Sequence, residues 1–429
     1  MDAKQRHRMA SSLLPRTWAA LAEISRRWPC LHQGSYHSAG AMKVLIVHNR
    51  YRSAIPSGEN SVVDAEIATL QSSNVDVVSY LRSSDEIANM SQLQKVSVAF
   101  GPIRSGQGVR EFSELLESEK PDVVHIHNVY PLISPWIIRL AHTAGIPIVM
   151  TVHNFRLDCV AGTYLRDGHV CTDCTSTKFA MPAIAHGCYR DSKIQSIPMV
   201  VSRSLHRSTW QLVDQFIALT GFHQDFLIRM GISPDRIVVR PTSVKDPGQT
   251  PSPGTDVLFV GRLGAEKGVD VLLEAWRISG ALETGRRLHL VGDGELRPAV
   301  DRAARADSSI VVHGMQDSQH VAELMDECGP VVIPSTCFEG LPLVMAEAIA
   351  RGRPVIASDI GGLGQTVTAE IGWKVPASNA VALASTIASL TDEQIFHKGA
   401  AARARFLKEF DQTVTTPQLI EIYTELTDK

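Results

Sequence analysis

The feature that most constrains this chain is a repeated alternation. Short runs of β-branched and other apolar residues recur, each separated from the next by a longer amphipathic stretch. The runs Lys43–His48, Val75–Tyr80, Asp122–His127, Pro147–His153, Phe216–Thr220 and Arg236–Arg240 read as strands. They are apolar at nearly every position, as strands buried on both faces of a parallel sheet must be. Between them, Asn60–Gln71, Val109–Glu119 and Pro135–Ala144 carry helical periodicity. The alternation breaks at residues 241–254, where four prolines and two glycines within 14 residues mark a linker. It resumes with strands at Asp256–Gly261, Leu288–Gly292, Ser309–His313, Val331–Pro334 and Pro354–Ser358, and with helices at Gly268–Arg277, Leu296–Ala306, Val321–Cys328 and Leu341–Arg351. This predicts an α/β protein of two Rossmann-like, doubly wound parallel-sheet domains facing a cleft. The expected boundaries are 42–240 for the first domain, 241–254 for the linker, 255–391 for the second domain and 392–429 for C-terminal helices. Whether that helical tail returns across the linker stays open at this point.

Composition removes other classes. At 429 residues, 44% hydrophobic and 20% charged, the chain can bury large cores and is not disordered. Lys and Arg number 42 against 45 Asp and Glu, so no positive excess exists to neutralise a nucleic-acid backbone. No stretch has the roughly 18 apolar residues of a membrane span. Residues 1–41 differ from the rest, with six Lys/Arg against Asp2 and Glu23, and are expected to be a basic, disordered extension. An amphipathic surface helix presenting Trp18, Leu21, Ile24 and Trp28 is the alternative there. Seven cysteines, an odd number, argue against a disulfide framework and for a reducing cytoplasm.

Open α/β sheets bind ligands at the carboxyl ends of their strands, so chemistry is sought there. Glu339 ends a loop after a strand, and Gly340, Leu341 and Pro342 open a helix whose free N–H groups suit a phosphate. Glu347 lies eight residues on, roughly 12 Å along a helix. That span is of the order of a nucleotide sugar, whose hydroxyls two carboxylates bind well. Alone, these two glutamates read equally well as a first-turn acid and a solvated helix position. Arg262 and Lys267, in Gly261–Gly268 after a strand, can stabilise charge on a leaving diphosphate. Alone they would read as surface charge. Gly292-Asp293-Gly294 is a weak signal by itself. The first strand lacks a Gly-x-Gly-x-x-Gly loop, which counts against a nicotinamide dehydrogenase, and no Asp-x-Asp occurs to hold a metal-bound nucleotide sugar. His125-Ile126-His127-Asn128 and Thr151-Val152-His153-Asn154 each end a strand; strand alternation makes His125 a structural histidine, while strand-end placement points His153 to function. Cys159, Cys171, Cys174 and Cys188 have the spacing C-x11-C-x2-C-x13-C in a loop-rich stretch, about 154–190. They could ligate one structural zinc or remain free thiols.

In combination and in order, Gly261–Gly268, Gly292-Asp293-Gly294, Glu339-x7-Glu347 and Ile360-Gly361-Gly362 resemble retaining glycosyltransferases of family 4. The resemblance spans most of residues 43–390 and implies the GT-B fold, with the donor in the C-terminal domain and the acceptor in the N-terminal one. It implies that Arg262 and Lys267 hold a diphosphate, that Glu339, Gly340 and Leu341 meet the donor and that Glu347 meets its ribose. His153, Glu339, Arg262 and Lys267 are then the catalytic candidates, with Gly58 and His127 on the acceptor side. Ser57-Gly58-Glu59-Asn60 keeps one glycine of the usual pair, and Gln365 stands where many members have a glutamate. The cysteine stretch, with Arg156, Arg166-Asp167-Gly168 and Cys188-Tyr189-Arg190, is similar to a subset of the family. The function so implied is transfer of a sugar from a nucleotide diphosphate sugar to a polysaccharide or lipid-linked acceptor, with retention and without a catalytic cofactor. Such an acceptor implies a cytoplasmic protein in peripheral contact with the inner membrane face. A nucleotide-sugar epimerase of the same fold and a non-catalytic zinc-stabilised binding protein are the alternatives.

Overall fold

The computed structural model describes residues 41–54, 57–175 and 177–428. The extension expected over residues 1–41 lies outside these up to residue 40. The first sheet is built from β1 (Lys43–Arg50), β2 (Asp76–Ser83), β3 (Val123–Asn128) and β4 (Ile148–Val152), followed after a small antiparallel pair, β5 (Leu165–Arg166) and β6 (His169–Val170), by β7 (Gln215–Ala218) and β8 (Ile237–Val239). Its order is β2-β1-β3-β4-β7-β8, and all its pairings are parallel. The second sheet contains β9 (Val257–Val260), β10 (Leu288–Val291), β11 (Ile310–Gly314), β12 (Val331–Ile333), β13 (Val355–Ser358) and β14 (Gly372–Val375), ordered β11-β10-β9-β12-β13-β14 and again parallel throughout.

Both faces of each sheet are covered, which is why the strand sequences are apolar at successive positions. In β1, Leu45 and Val47 join one core with Phe112, Leu116, Ile137 and Ile138. Val44 and Ile46 point the other way, onto Val63 and Leu70 of the helix Gly58–Ser72 and onto Leu419, Ile422 and Tyr423 of the helix Gln412–Thr427. The chain's last helix therefore completes the first sheet. The helix before it, Asp392–Glu409, packs Ala402 and Phe406 on the second sheet beside Met345 and Ile349. Between these helices, Val244 of the proline-rich segment pairs with Asp411 through backbone bonds to Phe410 and Gln412. Arg403 adds bonds to the Asp246 carboxylate at 2.6 Å and to the Gly248 carbonyl. The segment at 241–254 is thus strapped to the returning tail.

Two elements carry little sequence signal. β14 is a four-residue strand, Gly-Trp-Lys-Val, too short to show alternation. The helix Lys193–Trp210 contains Pro198 and many polar residues, yet Ser192 caps it and it buries Met199, Val200 and Trp210.

A charged group sits inside this packing. Glu66 is almost fully buried, 3.2 Å from Arg240 Nη1, 3.2 Å from His127 Nε2 and 3.4 Å from His125 Nδ1. Arg240 also donates Nε–H to the Thr415 carbonyl at 2.8 Å, and Tyr423 Oη is 2.6 Å from His125 Nδ1. Burial alone would push the Glu66 carboxyl up; His127, His125 and Arg240 instead hold it well below the usual carboxylate range. Arg240→Ala strands that carboxylate and is expected to cost about 3–5 kcal/mol in denaturant unfolding. The double variant Glu66→Gln/Arg240→Met should recover much of that loss.

Candidate active site

The carboxyl ends of the two sheets face one another, and helices begin on both sides. Gly58 opens the helix behind Ser57, whose side chain accepts from Asn60 N–H. A Cβ on Gly58 would lie 3.2 Å from Leu343 Cβ, the first residue of the helix Leu343–Ala350 across the cleft. That second helix has Pro342 before it and no side-chain cap, so its first N–H groups remain for a ligand.

On the second sheet, the loops after β9 and β12 meet. Lys267 Nζ lies 2.6 Å from Glu339 Oε1, and Ser335 Oγ donates to the same oxygen at 2.9 Å. Burial would lower the Lys267 pKa; the Glu339 carboxylate reverses this and holds it above its ordinary value. Arg262 turns instead to Glu266 Oε1 at 2.6 Å and is half exposed. The two cations therefore each have a carboxylate of their own. Gly292, with φ 129°, lets β10 pass beneath this loop: a Cβ there would lie 1.9 Å from the Gly261 carbonyl oxygen. Leu341 is buried. Glu347 is enclosed enough that burial raises its carboxyl above the ordinary range, with Arg351 opposing.

On the first sheet, His127 Nδ1 is 2.9 Å from His153 Nε2. A carboxylate only accepts, which favours a proton on His127 Nε2 toward Glu66 and makes Nδ1 the acceptor for His153 Nε2–H. His127, expected on the acceptor side, has its ring enclosed in this network. His153, at the strand end, is only partly accessible. Burial, then the charges of His127 and His48, keep His153 neutral well below its usual range. His125 is held on both nitrogens, by Tyr423 and by Thr151 Oγ1 at 2.8 Å, and is structural.

Three groups escape a reading of the sequence. His223 follows the cap Thr220, and its ring packs so tightly on Gly340 that a Cβ there would lie 2.2 Å from His223 Cε1. Neither ring nitrogen has a hydrogen-bond partner, and burial lowers its pKa to about 3. Phe338, the residue before Glu339, meets Phe155, Tyr164 and Phe222 at ring distances of 6.1, 5.6 and 4.8 Å. Glu59, bonded to Tyr51 Oη and Asn154 Nδ2, has its carboxyl raised to about 7 by burial, against the charge of Arg156. None of these has a local pattern, because each is defined by contacts between residues far apart in sequence.

Comparison with known proteins follows this geometry. Residues 58–242 match the glycosyl transferase 4-like domain and residues 254–393 match glycosyl transferases group 1. The chain is of the GT-B glycosyltransferase type. It is 29% identical over 210 residues to the amylovoran biosynthesis glycosyltransferase AmsK of Erwinia amylovora, covering 46% of this chain and 50% of that protein. It is 26% identical to a phosphatidyl-myo-inositol mannosyltransferase of Mycobacterium leprae, covering 70% of this chain and 73% of the relative. Among solved structures, sucrose-phosphate synthase from Thermosynechococcus elongatus superposes with a TM-score of 0.68 at 18% identity, covering 90% and 99% of the two chains. HepE of Anabaena, in complex with UDP, gives 0.61 at 17%, covering 90% and 100%. Among the described residues, no helix is long and apolar enough to cross a membrane.

The enclosed histidines of this GT-B chain set an acid limit. His48 is lowered to about 4 by burial, His206 to about 4 and His223 to about 3, while His125 and His153 lie well below 6.5. Below about pH 6.5 the unfolded chain takes up protons that the folded chain refuses, at about 1.4 kcal/mol per pH unit for each group. Glu59 and Glu347, raised in the fold, oppose this, two groups against five. The melting temperature is therefore expected to fall steadily from pH 7 to pH 5, as measured by scanning calorimetry.

Proposed function

We propose that the protein transfers a sugar from a nucleotide diphosphate sugar to a saccharide or lipid-linked acceptor, with retention of anomeric configuration and no catalytic metal. The observation that carries this reading is the 2.6 Å Lys267–Glu339 pair at the meeting of two strand-end loops, beside an uncapped helix start. A cation and a carboxylate held together there suit a diphosphate on one side and sugar hydroxyls on the other. On donor binding, Lys267 and Arg262 exchange their carboxylate partners for the diphosphate. Glu339 is then free to accept from the sugar, with Gly340 and Leu341 lining the donor and Glu347 taking the ribose hydroxyls.

In the proposed reaction, the bond from the anomeric carbon to the diphosphate breaks and the acceptor oxygen bonds to that carbon on the same face. The acceptor proton passes to the departing diphosphate oxygen, so no strong protein base is required. His153, neutral at physiological pH and oriented by His127, hydrogen-bonds the reacting sugar, while Gly58, at the opposite helix start, lies on the acceptor side. The cleft excludes water that would hydrolyse the donor. A nearby surface supports a lipid-linked acceptor at the inner membrane face. The helices Gln92–Phe100 and Lys193–Trp210 pack side by side and expose Leu93, Val96 and Phe100 beside Ile194, Ile197 and Val201. Lys95 and Lys193 lie on the same helices, so the surface suits an anionic bilayer.

Kinetics separates the roles. Arg262→Ala and Glu339→Gln are each expected to lower kcat by one to two orders of magnitude, about 1.4–2.7 kcal/mol of transition-state stabilisation, with a smaller rise in donor KM. Glu347→Gln should chiefly raise donor KM, because the ribose does not change during reaction. Near-normal kcat in both Arg262→Ala and Glu339→Gln would sink the assignment. The anomeric configuration of the product, read by NMR, decides retention.

A second measurement addresses the surface. Co-sedimentation with anionic phospholipid vesicles should be strong for the intact chain and weak for Ile194→Asp/Ile197→Asp, whose donor binding should be unaltered. Equal sedimentation of the two proteins would remove the membrane contact from this reading.

A further inference from the structure

Between β4 and the helix Lys193–Trp210 the chain runs about forty residues with little regular structure. Among its described residues it holds only the two-residue strands β5 and β6 and the helix Met181–Ala185. Loops of that length inside a compact domain need something to fix them. The segment is nonetheless tightly specified, because Phe155, Val160, Tyr164, Ala180 and Ala183 all join the first core. Tyr164, Asp167, Arg190 and Asp191 also have φ between 50° and 55°, an arrangement that persists only where surrounding contacts over-determine it.

Cys159, Cys171, Cys174 and Cys188, which are scattered through this segment, line one small cavity together with Tyr164, Arg166 and Ala183. All four are free thiols. The Ala183 N–H points at the Cys174 sulfur, as backbone donors do at metal-thiolate centres. Arg166 faces Cys171 and Cys188, and Arg203 faces Cys174 and donates to its carbonyl at 2.7 Å. Each guanidinium is fixed by an aspartate, Arg166 by Asp173 and Arg203 by Asp158. Among the described residues, no three of these sulfurs lie within 4.8 Å of one another, so binding must draw the cavity walls inward.

We propose that these four cysteines bind one zinc ion as a tetrathiolate, and that this centre holds Phe155 and Tyr164 as a fixed wall against Phe338. Four thiols release four protons, and the sulfur electron pairs fill the four positions of the ion, leaving none for substrate. The centre is structural. Its effect on the cleft runs through Phe338, which precedes Glu339, and that part of the inference rests on the donor reading given above.

Full-length protein purified from zinc-supplemented medium without chelator should contain about one zinc per chain by elemental analysis. Exchange for Co2+ should give the visible bands and intense thiolate-to-metal charge transfer of a tetrahedral tetrathiolate. Cys171→Ser and Cys188→Ser should lose the metal, and Cys328→Ser should keep it. Should the serine variants fail to fold, the cobalt spectrum of the unaltered chain still decides. A metal-free chain that shows no charge-transfer band on adding cobalt would overturn the site. Chelation should speed hydrogen exchange in residues 155–165 and 335–341 together; metal loss that leaves 335–341 unchanged would overturn the wall. A zinc-loaded chain that transfers no sugar would count against the donor reading alone, and an active, metal-free chain against this proposal alone.

Discussion

Glu66 is a carboxylate enclosed in an apolar interior, and the arrangement that keeps it charged joins distant parts of the chain. Its partners come from β3, through His125 and His127, and from Arg240 at the end of β8. Arg240 and His125 are in turn tied to Thr415 and Tyr423 on the last helix. A buried charge left without its ion-pair partner is costly, so these elements hold their positions together. The consequence reaches the cleft. His127, fixed on one side by Glu66, fixes His153 on the other, and a line of polar contacts runs from the core to a strand end.

The same crossing of the tail explains how two sheets keep a defined separation. The helix Asp392–Glu409 belongs to the second core and the helix Gln412–Thr427 to the first, with the Val244–Asp411 bridge between them. Motion of one sheet relative to the other must bend the chain near Phe410–Asp411 and the proline-rich segment, the two stretches that connect the cores, although Phe410 itself is buried in the second core. Several contacts across the cleft are made at glycine: Gly58 on Leu343, Gly221 on Gln365, and Gly340 under His223. Phe338 differs, since its ring is seated against Phe155, Tyr164 and Phe222, so opening the cleft there must withdraw one aromatic side chain from the edge of the first core.

Much of this architecture was legible from residues alone, because burial on both sheet faces forces runs such as Lys43–His48 and Asp122–His127 to be apolar throughout. The ends of such strands were legible for the same reason, since Arg262, Glu339 and His153 stand where apolar pattern stops. What was not legible depends on tertiary approach. Nothing near His223 in the sequence announces that it will lie on Gly340, and the Glu66 network draws on residues as far apart as 66 and 423. The helix Lys193–Trp210 escaped because Pro198 and its serines weaken the helical pattern that Ser192 and the buried Trp210 sustain. Arg262 and Lys267 share one motif, but their partners, Glu266 and Glu339, are chosen by loop geometry.

That last difference bears on chemistry. A lysine ammonium held against a carboxylate at 2.6 Å stays protonated and has already lost part of its water. On the donor reading proposed above, a diphosphate arriving at this point would exchange one anionic partner for another, with part of the desolvation already complete. Arg262, half exposed and paired only with its own loop, still has water to lose. On that reading the two cations differ in what they contribute: Lys267 would place the diphosphate from the outset, and Arg262 would close on it as charge develops and the cleft shuts. The enclosed aromatic wall at Phe338 lies one residue from Glu339, so the geometry of this exchange depends on how rigidly the cysteine-bearing segment is held.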